Sequence, residues 1–61
     1  MIKFMTVEEV ASRWRISKMS VYRIIGRNEL EVMRVGRAFR ITETSVDRYE
    51  AANLTPRIEQ S

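Results

Sequence analysis

Apolar and polar positions alternate along this chain with two different periods. Between Val7 and Trp14 the apolar residues Val7, Val10, Ala11 and Trp14 recur at steps of three and four. At about 100° per residue they share one helical face, and Glu8, Glu9, Ser12 and Arg13 fall on the other. Thr6 stands at the N-cap with Glu9 three residues later, a capping box, and Met5 and Val10 flank it as a hydrophobic staple. The pattern predicts a helix over 7–14 whose acidic start suits its dipole. Arg15-Ile16 leaves room only for a turn. Ser17 then caps a second helix reaching about Arg27, with Val21, Ile24 and Ile25 as its apolar stripe and small Ser20 beside it. Lys18, Met19, Tyr22, Arg23 and Gly26 lie on the opposite arc, and Gly26 and Asn28 offer a left-handed exit. Two helices joined by so short a turn predict a helix-turn-helix. The second helix crosses the first, with Trp14, Ile16, Val21 and Ile25 filling the angle.

After Leu30 the period changes to two. Met33, Val35, Phe39 and Ile41 share one parity and predict one face of a hairpin. Arg34 and Arg40 share the other parity, and Gly36-Arg37-Ala38 forms the tip, where Gly36 supplies positive φ. Such a two-stranded wing must pack on the helices to persist. Thr44 with Asp47 reads as a second capping box opening a helix over about 45–53, docked by Val46 and Tyr49. Met1–Met5 reads as a short lead, and 54–61, with the single proline Pro56, as a loose tail. The expected fold is mainly α with a small β-hairpin: a winged helix-turn-helix over 1–53, followed by a flexible tail over 54–61.

Length and composition narrow the chemistry. A chain of 61 residues gives one domain. At this size only about 60% of the unfolded surface is buried, so stability is marginal and no large enzyme cleft is expected. Cysteine and histidine are both absent, which removes disulfides, thiol nucleophiles, Cys/His zinc sites and histidine bases together. Neither a metal nor a cofactor is expected, nor a small-molecule substrate. No apolar run exceeds two residues, so a membrane span or signal core is excluded.

Charge distribution changes the picture more than net charge. From Arg13 to Arg40 there are eight cations (Arg13, Arg15, Lys18, Arg23, Arg27, Arg34, Arg37 and Arg40) against Glu29 and Glu31, a net of +6. The remainder carries three cations and six acids, −3, which together give the overall +3. A basic middle between acidic ends points to a polyanionic partner.

Two clusters can meet such a partner. On the second helix, Lys18, Tyr22 and Arg23 can donate to base edges and phosphates, Met19 can touch a thymine methyl, and Ser17 and Ser20 near the helix start can bond phosphate. An ordinary solvated face carries acids as well; this arc has none. On the wing, Arg34, Arg37 and Arg40 suit a minor groove, although charges also serve simply to blunt exposed edge strands. Glu8, Glu9 and Asp47 sit in first helical turns, where capping and dipole effects account for them, and Glu43 and Glu50 flank the same last helix. No base, nucleophile or metal set converges with them, so no catalysis is expected.

Several stretches resemble the small excisionase and MerR-like winged helix-turn-helix family. They are Thr6-Val7-Glu8-Glu9-Val10-Ala11, Ile16-Ser17-Lys18-Met19-Ser20-Val21-Tyr22-Arg23, Leu30, and Arg34-Val35-Gly36-Arg37-Ala38-Phe39-Arg40-Ile41. The resemblance covers roughly 5–52. It implies a second helix in the major groove and a wing in the adjacent minor groove. Ser17, Lys18, Met19, Tyr22 and Arg23 match recognition-helix positions, and Arg34, Arg37 and Arg40 match the basic wing. Asn28 stands where family members often have glycine, and Glu31 where they often have proline. The chain after Ala52 is too short for the dimerising coiled coil of full MerR regulators. The implied role is that of a phage-type excisionase in the cytoplasm of a bacterial host. Its partners would be double-stranded DNA at repeated sites, an integrase, and neighbouring copies of itself. A small transcriptional regulator of the same fold is the alternative. A protein-interaction module with a basic docking face is a reading from another class.

Overall fold

The computed structural model describes residues 1–54. Elements run β1 (Phe4–Met5), α1 (Val7–Trp14), α2 (Lys18–Gly26), β2 (Val32–Val35), β3 (Ala38–Thr42) and α3 (Glu43–Asn53). The strands form an antiparallel sheet in the order β1-β3-β2. Three helices and this small sheet make a winged helix-turn-helix. The expected tail lies, from Thr55 onward, outside the described residues.

The capping signals around α1 act as expected. The Thr6 hydroxyl accepts from the Glu9 N–H at 3.0 Å, and the Glu9 carboxylate accepts from the Thr6 N–H at 2.8 Å. At its far end α1 closes in a Schellman turn. Arg15 donates from its N–H to the Ser12 carbonyl and Ile16 donates to the Ala11 carbonyl, with Arg15 itself at φ 59°. The left-handed region costs about 1–2 kcal/mol for a residue with a Cβ, and nothing in the sequence advertised it here. α2 ends the same way. Asn28 at φ 61° donates to the Ile25 carbonyl and Glu29 to the Ile24 carbonyl, while Gly26 stays helical. The core gathers Val7, Val10 and Ala11 of α1, Val21 and Ile24 of α2, Leu30, Ile41 of β3 and Val46 of α3. Trp14, Ile25 and Tyr49 pack against it half-buried, whereas Ile16, expected inside the helix angle, is exposed.

Three further expectations are corrected. The hairpin turn holds two residues, Gly36 and Arg37, so Val35 faces Ala38, Arg34 faces Phe39, Met33 faces Arg40 and Val32 faces Ile41. Gly36 at φ 60° in the first central position fits a type II′ turn. One residue fewer in the loop reverses the side-chain parity of one strand relative to the other. Val32, Arg34, Phe39 and Ile41 therefore share one face, and Met33, Val35, Ala38 and Arg40 the other. Met33 and Val35, expected on the face of Phe39 and Ile41, lie on the opposite face and are exposed.

Second, the lead contains β1, with Phe4 opposite Thr42 and Met5 opposite Ile41. The pairing continues past the strand, since the Lys3 carbonyl accepts from the Glu43 N–H at 2.9 Å and satisfies an orphan donor at the start of α3.

Third, α3 is capped by Thr42 rather than Thr44. The Thr42 N–H closes the hairpin ladder on the Glu31 carbonyl at 3.0 Å. Its hydroxyl accepts from the Ser45 N–H at 3.2 Å and donates to the Glu31 carboxylate at 3.2 Å. The last strand residue thus doubles as the helix cap, and α3 begins two residues earlier than the Thr44–Asp47 pattern indicated.

Candidate nucleic-acid interface

α2 places its chemistry by periodicity. Val21 and Ile24 turn inward, which leaves Lys18, Met19, Tyr22 and Arg23 exposed on the outer arc. Met19 is 64% exposed and Tyr22 44% exposed, so this face presents a thioether and an aromatic ring beside its cations. No acid occurs between Lys18 and Gly26. Lys18 approaches Glu8 at 3.8 Å, an exposed pair of small energetic weight. The Ser17 hydroxyl caps Ser20 and lies 3.1 Å from the Ser20 hydroxyl, so these two side chains are already engaged with each other at the helix start.

The wing stands beside this face. The Tyr22 and Phe39 rings meet at 6.0 Å with a 61° interplanar angle. Arg34, on the same wing face as Phe39, holds its guanidinium carbon 5.9 Å from that ring's centroid and donates to the Gly36 carbonyl at 3.3 Å. Arg37 is exposed at the turn. Arg40 lies on the opposite wing face, half-buried, and donates to the Phe39 carbonyl at 3.3 Å. The corrected register thus separates Arg34 from Arg40. Arg34 lies on the face whose Phe39 meets Tyr22 of α2, Arg40 on the opposite face, and Arg37 is exposed at the turn between the two strands. Phe39 is the member of this site that sequence reasoning missed. It shares the face of buried Ile41 two positions on, and the two-residue loop adds Arg34 to that face; no local signal fixed that loop length.

Two of the eight central cations are committed elsewhere. Arg13 donates to both Glu50 carboxylate oxygens at 2.8 and 2.9 Å and reaches Asp47 at 3.5 Å. The Trp14 indole N–H donates to the same Glu50 at 2.6 Å. These donors, Arg13 first and Trp14 second, hold the Glu50 carboxyl below the usual carboxylate range. Arg27 pairs with Glu29 at 3.1 Å. Glu50 and Asp47 are therefore occupied in stitching α1 to α3, and Glu29 in closing the end of α2. Among the described residues, Arg15, Arg23, Arg34, Arg37 and Arg40 have no carboxylate partner. No cluster of three metal-ligating side chains occurs among those residues, and no helix there is long and apolar enough to cross a membrane.

A short helix-turn-helix, an acid-free outer helix face and an adjoining arginine-bearing wing define a DNA-binding domain of the winged helix-turn-helix class. A sequence profile described as a helix-turn-helix domain matches residues 4–53, and the chain belongs to that family. It is 48% identical, over 44 residues and 72% of its length, to a candidate DNA-binding protein of Mycobacterium tuberculosis H37Rv, covering 56% of that protein. It is 36% identical, over 47 residues and 77% of its length, to a protein of Saccharopolyspora erythraea named as a probable excisionase, covering 48% of it. The chain thus spans about half the length of these two curated relatives. An uncharacterised Bacillus subtilis protein shares 40% identity over 45 residues, only 15% of its own length. No solved structure matches the chain.

Proposed function

We propose that this domain binds duplex DNA with the outer face of α2 in the major groove and the wing in the flanking minor groove, and that it bends the duplex. It performs no chemistry. In this reading Lys18, Met19, Tyr22 and Arg23 meet the major groove, with Ser17 and Ser20 at the helix start beside the phosphates. Arg37 leads the wing, with Arg34 and Arg40 at its flanks. The observation that carries the reading is the Tyr22–Phe39 contact, which keeps the wing against the acid-free face of α2. Arginine delivered to a narrow groove favours bending and A·T-rich flanks.

The role is that of a recombination directionality factor working beside an integrase in the bacterial cytoplasm, in keeping with the relative named as an excisionase. One such module covers roughly 600–1,000 Å², so useful affinity requires neighbours on repeated sites. The second reading is a small transcriptional regulator, favoured by the mycobacterial relative that is named for DNA binding alone. Titration on one, two and three phased sites, with sedimentation of the free protein, tests the assembly. A monomer in solution and rising per-site affinity are expected; a stable free dimer or constant per-site affinity contradicts it. Stimulation of integrase-dependent excision in a reconstituted reaction separates the first role from the second.

Arg23→Ala probes the helix. A loss of about 1–3 kcal/mol on the cognate duplex alone makes Arg23 a base contact. An equal loss on a scrambled duplex makes it a phosphate contact, and no loss on either removes α2 from the interface.

A further inference from the structure

The turn between α1 and α2 contains a residue whose identity the fold does not account for. Arg15 occupies φ 59°, ψ 45°, the conformation in which glycine or asparagine is favoured. The matching position after α2 is Asn28, at φ 61°, a residue that tolerates this region. Arginine has no such tolerance, so the turn is less stable than it needs to be. The side chain returns nothing visible for that cost: it is exposed and meets no carboxylate among the described residues. Arg13, two positions earlier, shows the contrast, with its guanidinium bound to both oxygens of Glu50 and close to Asp47. One intramolecular benefit remains open to Arg15, as a cation beyond the carbonyl end of α1. Arg13 already stands in that last turn.

The location suggests another use. When a recognition helix enters the major groove, its first residues reach base edges while the helix before it crosses the sugar–phosphate backbone, which brings the turn joining the two near that backbone. Arg15 precedes the α2 cap, Ser17, by two residues. We infer that Arg15 is a DNA-backbone contact, gripping a phosphate at the groove edge, and that arginine is kept in this left-handed turn for binding at the expense of stability. This rests on the reading that the outer face of α2 docks on DNA. The contact is independent of sequence, since phosphates carry no base identity.

The experiment compares wild type with Arg15→Gly, Arg15→Asn and Arg15→Lys, measuring thermal midpoint and duplex affinity over a salt series. Gly and Asn both suit the left-handed turn, so they are expected to melt no lower than wild type. Their affinity falls about five- to tenfold near 0.1 M salt, equally on cognate and scrambled duplexes, and the slope of log K against log salt drops by about 1. Arg15→Lys keeps the charge and with it most of the slope. Unchanged affinity and slope in Gly and Asn overturn the inference, and a lower melting point with intact binding assigns Arg15 to the end of α1 instead. A loss confined to the cognate duplex also overturns it, since that marks a base contact. Arg23→Ala run in parallel separates the two failures: if it still loses binding, the α2 reading stands and only Arg15 is misassigned.

Discussion

The rings of Tyr22 and Phe39 meet at 6.0 Å in a T-shaped arrangement, joining the outer face of α2 to the wing across 16 intervening positions of sequence. Because Arg34 lies over the same Phe39 ring, one aromatic side chain fixes both the spacing between helix and wing and the position of a cation. A two-stranded ribbon has little stability of its own, so its angle depends on what it packs against. The distance between the major- and minor-groove contacts is, on this account, built into a side-chain pair.

Phe39→Leu isolates that pair. Leucine keeps the position apolar but removes the edge-on contact, worth about 0.5–1.5 kcal/mol, and the cation–π contact, worth about 0.5–1 kcal/mol at an exposed site. A stability loss of about 1–2 kcal/mol is expected in thermal melts. In binding assays on the folded variant, the wing-dependent part of affinity and the bend should fall while major-groove base preference persists. Phe39→Tyr, which retains the ring, should restore both. Normal bending in Phe39→Leu would mean that the wing is oriented by its strand ladder alone.

Glu50 gives the fold an acid-sensitive tie. Its carboxyl is held below its ordinary value of 4.5 by Arg13 first and Trp14 second. A depressed folded-state pKa stabilises the protein above the unfolded value, and that contribution disappears as pH falls through the folded one. Stability should therefore be level at neutral pH and decline as pH drops below about 4.5. Glu50→Gln should flatten this part of the pH profile. Glu50→Ala, which leaves the Trp14 N–H without its acceptor, should cost about 1 kcal/mol at neutral pH. Thermal melts between pH 3 and pH 7 check both, and an unchanged acid limb in Glu50→Gln would show that other carboxylates set it.

Much of this architecture was legible because its signals are local. The Thr6–Glu9 box, the Ser17 cap and the 3.6-residue stripes each need only a few neighbouring residues, and they delivered α1, α2 and the acid-free face. Asn28 in the left-handed region was also readable from composition. What escaped depends on partners distant in sequence. β1 exists only because β3 offers its edge to Phe4 and Met5. Choosing Thr42 over Thr44 as cap follows from Thr42 being pinned to the Glu31 carbonyl. The wing register turns on a single residue of loop length, and that residue decides whether Arg34 or Val35 shares the face of Phe39. The charge count likewise gave a basic middle but could not show that Arg13 and Arg27 are withdrawn from it by Glu50 and Glu29.

On this account the α2 face and the wing form one DNA-binding surface spanning two grooves. Groove-resolved footprinting of wild type and Arg37→Ala on the same duplex decides whether both grooves are engaged. Arg37 is exposed in a two-residue turn, so its removal should leave the melting temperature almost unchanged. Wild type should protect guanine N7 in the major groove and the sugars of the adjoining minor groove. Arg37→Ala should lose the minor-groove protection, bend DNA less and lower the salt slope by about 1, with the major-groove pattern intact. An identical two-groove footprint, bend and slope in Arg37→Ala would contradict the claim and leave the wing as a structural hairpin.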